Sequence, residues 1–134
     1  MAVARLVLIA GLLALAGCSG SGGARDVRAL ASWAATIDMV AGAWSDGMAP
    51  RAYSLRAVGR AREALTKHAR RLDDLPAELR GRVGAALQRL DRAAADLAAA
   101  IERRDRAGAA GTRKRLQAEA RILGDVAAGL EARS

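Results

Sequence analysis

Leu79, Val83, Leu87, Leu90, Ala94, Leu97 and Ile101 follow one another at spacings of four and three residues. That alternation returns apolar side chains to one face of an α-helix, turn after turn. Three other segments repeat the pattern, so the chain is committed to helices that must each bury a stripe. The side chains on offer suit this. There is no phenylalanine, one tyrosine and two tryptophans, which leaves Leu, Val, Ile and abundant Ala to build a core. Alanine is the best helix former, whereas strands favour β-branched and aromatic residues. The expected fold class is all-α.

Local signals place the boundaries. A first helix opens at Asp26, which can cap it, and carries Val27, Leu30, Trp33, Ala34, Ile37, Val40, Ala41 and Trp44 on one stripe. Asp46-Gly47 ends it, with glycine where a left-handed C-cap residue is expected. Ser54 reads as the N-cap of the second helix, with Tyr53 and Val58 at the spacing of a hydrophobic staple. Its stripe runs through Val58, Ala61, Leu65, His68 and Leu72, with Leu75 just beyond, and it ends near Asp73 or Asp74, ahead of Pro76. The third helix starts at Pro76 with Glu78 in its first turn. The fourth carries Leu116, Ala120, Leu123, Ala127 and Leu130, flanked by Ile122 and Val126. Two joints between them are conceivable: Asp105 caps the fourth helix at once, or residues 108–111 form a loop and Thr112 caps. A glycine within a helix costs only about 1 kcal/mol, which favours Asp105. Four amphipathic helices with short joints predict an antiparallel up-down-up-down four-helix bundle over residues 26–134. On these boundaries the third helix outreaches the first by roughly 10 Å.

The first residues have a different character. Arg5 precedes an apolar run from Leu6 to Ala16, about half the roughly 20 residues a bilayer-spanning helix needs. It reads as an export signal. Leu15-Ala16-Gly17-Cys18 resembles the lipobox of bacterial lipoproteins. The resemblance implies cleavage after Gly17 and lipidation of Cys18, so that residues 1–17 are removed and residues 18–25 tether the domain. Ser19, where the enterobacterial sorting rule reads aspartate as inner-membrane retention, implies the outer membrane, with the protein facing the periplasm. A single cysteine leaves no disulfide partner.

The chemistry-bearing residues are sparse. His68 is the only histidine and lies on an apolar stripe, where a structural hydrogen bond is its ordinary role. No second ligand stands at helical spacing for a metal, and no cofactor is expected. The glutamates Glu63, Glu78, Glu102, Glu119 and Glu131 are spread over the helices, where arginine pairing accounts for them. No nucleophile stands in a recognisable motif, and the expectation is that the protein is not an enzyme. Trp33 and Trp44 are core fillers, or else partner anchors at the seam of the stripe.

The net charge is +8, which points to an anionic partner. Export takes the chain away from nucleic acid, so a protein or anionic envelope surface is expected instead. Arg103, Arg104, Arg106, Arg113, Lys114 and Arg115 make the densest run of one sign and are the candidate docking residues. The expected function is a membrane-anchored structural or accessory protein, monomeric or dimeric, that works by contact. The alternatives are a pilotin-like accessory of a secretion channel, alike only in size and class, or a small-molecule carrier or sensor with a cavity in the bundle.

Overall fold

The computed structural model describes residues 22–133. The signal segment, Cys18 and the start of the tether lie outside the described residues. Four helices account for most of the rest: α1 (Gly22–Ser45), α2 (Arg51–Ala69), α3 (Ala77–Glu102) and α4 (Arg106–Glu131), with a 3-10 turn at Leu72–Asp74. Among the described residues there is no strand. α1 packs most extensively on α4 and also on α2; α3 packs on α4 and α2, and α1 meets α3 across the middle. One core results, in which Leu30, Ile37, Leu90, Leu97, Leu116 and Leu123 are fully buried.

Several boundaries differ from those the sequence suggested. α1 begins at Gly22 rather than Asp26, so residues 22–25 are helical rather than tether. Packing drives the extension: Ala24 is buried, and Gly23 comes so close to Leu75 that a Cβ there would lie 2.9 Å from the leucine's Cδ2. Asp26 is therefore not a cap. Its Oδ1 instead accepts a hydrogen bond from Nδ1 of His68 on α2, 3.0 Å away, which holds the histidine at the core edge.

Ser54 is not the cap of α2 either. Pro50, extended at ψ 147, precedes the helix, and its carbonyl already accepts from the Ser54 amide at 3.0 Å. The helix so starts one turn early. The Ser54 hydroxyl donates back to the same carbonyl at 3.0 Å, and the side chain is fully buried as a small spacer. Tyr53 is 58% exposed, so the expected staple onto Val58 is absent. The far end of α2 is also shorter than expected, stopping at Ala69. A 3-10 turn then carries Leu72 and Leu75 into the core, because its three-residue period puts both on one side.

The other joints follow the sequence. Asp105 caps α4, its Oδ1 accepting from the Gly108 amide at 2.8 Å, and Gly108 and Gly111 lie inside the helix. α1 ends on Gly47 at φ 74, with Gly47 N–H bonded to Trp44 O and Met48 N–H to Ala43 O. This is the paired-bond arrangement a left-handed C-cap makes. α3 ends the same way on Arg104, at φ 57, with bonds to Ile101 O and Ala100 O. Glycine is the usual occupant of such a position, since an L side chain is strained there. Arg104→Gly should therefore raise stability by about 1 kcal/mol in a denaturant melt; an unchanged or lower midpoint would mean the turn relaxes without cost.

The expected overhang of the second hairpin does not occur. At 1.5 Å per residue, the 24 residues of α1 and the 26 of α3 span about 36 and 39 Å. Their joints lie together: a Cβ on Gly47 would be 3.5 Å from the Arg106 guanidinium.

Candidate functional site

Helical geometry distributes the basic run. Successive residues on a helix point about 100° apart, so neighbours in sequence do not share a face. Arg113 turns toward α1, where Nε donates to Asp38 Oδ1 at 2.8 Å and Nη2 to Oδ2 at 3.4 Å. Gln117 donates to the same carboxylate at 3.2 Å. The hydrogen bond to Asp38, and then its charge, raise the Arg113 pKa above the ordinary arginine value. Its guanidinium lies over Gly42, where a Cβ would be 3.0 Å from Cζ. Arg115 turns the other way and pairs with Asp96 of α3 at 2.9 Å. These two arginines hold helices together. Arg103 and Lys114 are exposed.

Arg104 and Arg106 meet a third arginine that the sequence reading did not include. Arg51, at the start of α2, joins them around a recess of about 240 Å³ whose other walls are Trp44, Gly47 and Ala49. Arg51 is fixed from behind by donating to the Glu102 carbonyl at 3.3 Å. Among the described residues, none of the three is in an ion pair. The acids in the same two joints are Asp46 and Asp105, and Asp105 is engaged by its capping bond. The first turn of α2 has no side-chain cap, so its free N–H groups add positive potential at this end. Three guanidiniums carry donors only, over an indole that is 6% exposed. Such a recess can take an oxyanion; it offers no nucleophile and no base.

Other ion pairs also link the helices. Arg28 near the start of α1 grips Glu131 at the end of α4 through bonds of 3.1 and 3.0 Å. That hydrogen bonding holds the Glu131 carboxyl below its ordinary value. Arg62 of α2 meets Asp91 of α3 at 2.9 Å. Glu119 is buried, with Oε1 accepting from Arg89 of α3 at 2.7 Å and Oε2 without a partner; its pairing is between helices rather than along one. Among the described residues, no three His, Cys, Asp or Glu side chains gather as a metal site, and no helix is long and apolar enough to cross a membrane. No protein-family model, curated protein or solved structure matches the chain.

Proposed function

We propose that this chain is a lipid-anchored protein of the bacterial envelope, held through Cys18 at the outer membrane, that works by contact rather than catalysis. In this reading the helices form an antiparallel up-down-up-down bundle. The pairing of Arg28 with Glu131, and of Asp38 with Gln117 and Arg113, supports opposite directions for α1 and α4. Such a bundle puts the joints after α1 and α3 at the end away from the anchor. About 36 Å of helix then separates that end from the lipid, against a screening length of about 8 Å in physiological salt. Its arginines are therefore placed to meet a partner rather than their own membrane.

One observation carries the docking half of the proposal: Arg51, Arg104 and Arg106 converge from three segments on one recess that has no carboxylate among its lining residues. Like charges brought together repel unless an anion joins them, and Arg104 holds a strained backbone position in doing so. The partner is an anionic surface, most simply an acidic face of another envelope protein. The triple replacement Arg51→Gln, Arg104→Gln and Arg106→Gln should leave the melt no lower, since it relieves the repulsion, and the membrane fractionation unchanged. It should also abolish salt-sensitive crosslinks in intact envelopes. If those crosslinks survive it and vanish when Arg70, Arg71, Arg80 and Arg82 are replaced instead, the working end is the other one.

A further inference from the structure

A second recess lies on the outer seam of α1 and α2. Trp33 and Thr36 of α1 face Tyr53, Arg56, Ala57 and Arg60 of α2 across an open groove of about 360 Å³, within the range of small-molecule sites. Trp33 belongs to the α1 stripe but is only partly buried against the core. Part of the indole is left uncovered and serves as the groove floor. Tyr53, released from the expected staple, stands 58% exposed beside it.

The rim has a definite polarity. Arg56 and Arg60 are one helical turn apart and so adjacent on the surface, where like charges repel by a few tenths of a kcal/mol. Among the described residues neither enters an ion pair, although Glu63 stands three residues beyond Arg60. Thr36 spends its hydroxyl hydrogen on the Ser32 carbonyl at 2.9 Å, leaving Oγ1 only as an acceptor. Strong donors therefore sit at one side of a flat aromatic floor, with no charged acceptor among the lining residues.

We propose that this groove binds a small amphiphilic anion. The head, with two or more acceptor oxygens as in a phosphate or sulfate ester or a carboxylate, is bridged by Arg56 and Arg60. A planar or aliphatic body lies on Trp33 and Tyr53. Planar bodies gain further from stacking and from guanidinium contact with the rings. The proposal stands apart from the three-arginine recess, sharing none of its lining residues.

The probes are 1-naphthyl phosphate, inorganic phosphate and 1-naphthol, titrated into the full chain and followed through the two indole N–H signals by NMR. Trp33→Phe assigns which signal is which. Naphthyl phosphate should saturate one site, shift the Trp33 indole and leave Trp44 in place. It should bind at least about tenfold more tightly than phosphate or naphthol alone, as expected when a charge-assisted bridge adds to apolar contact. Arg56→Gln with Arg60→Gln should weaken it by at least about tenfold. Tyr53→Ala should weaken naphthyl phosphate but not inorganic phosphate. All three positions are exposed, so the melts should not change. The triple replacement at the three-arginine recess should leave this binding intact. Equal affinity for phosphate alone, binding unaffected by the arginine pair, or a shift at Trp44 rather than Trp33 would each overturn the proposal.

Discussion

Trp44→Ala should lower folding stability by about 3–5 kcal/mol, the range for truncating a buried aromatic side chain. The indole is 6% exposed and belongs to the single core. It lies in the last turn of α1, three residues before Gly47, and it also lines the three-arginine recess. Truncation removes the largest contact surface at that end and leaves a cavity that rigid neighbouring helices can only partly close. Trp44→Phe keeps most of the volume and should cost much less. Urea midpoints at an unchanged slope measure both. A loss below about 1 kcal/mol for Trp44→Ala would mean the indole is not a core residue.

Leu97→Ala should cost about 2–5 kcal/mol, and Leu87→Ala clearly less, although the two share one stripe of α3. Leu97 is fully buried, whereas Leu87 is partly buried and lines a shallow recess with Arg62, Leu65, Thr66, Ala69 and Asp91. Solvent already reaches that neighbourhood, so truncation there removes fewer contacts and can be filled by water or by movement of the long Arg62 side chain. Equal losses at the two positions would mean that α3 buries its whole stripe and that the recess is closed in solution.

That contrast marks what periodicity can and cannot reveal. The four stripes are legible because helical spacing fixes which residues share a face, and Val27, Ala34, Val83 and Leu123 are buried as the spacing requires. How deeply each is buried depends on the partner helix, which no local pattern encodes. Caps proved readable where the chain offered one local solution, as at Gly47 and Asp105. They misled where another signal outvoted the one read: Leu75 packed on Gly23 draws α1 past Asp26, and Pro50, a local competitor, supplies an acceptor one turn ahead of Ser54. The candidate site was half legible. A run of basic residues can be found by scanning, and it contains Arg104 and Arg106. Arg51 is 53 positions before Arg104 and joins it only through the fold, while Arg113 and Arg115, inside the run, are turned away by the helix they occupy.

The claim that the end carrying Arg51, Arg104 and Arg106 meets a partner has a direct test. Met48 lies in the same joint as Gly47 and is 80% exposed, and Arg71 is exposed in the joint after α2. A photo-crosslinking residue at each of these positions, in otherwise native protein in intact envelopes, compares the two ends with Arg51, Arg104 and Arg106 left in place. The account predicts a discrete adduct from position 48 that fades as salt is raised, and none from position 71. An adduct from position 71 alone, or one from position 48 that ignores salt, would contradict it.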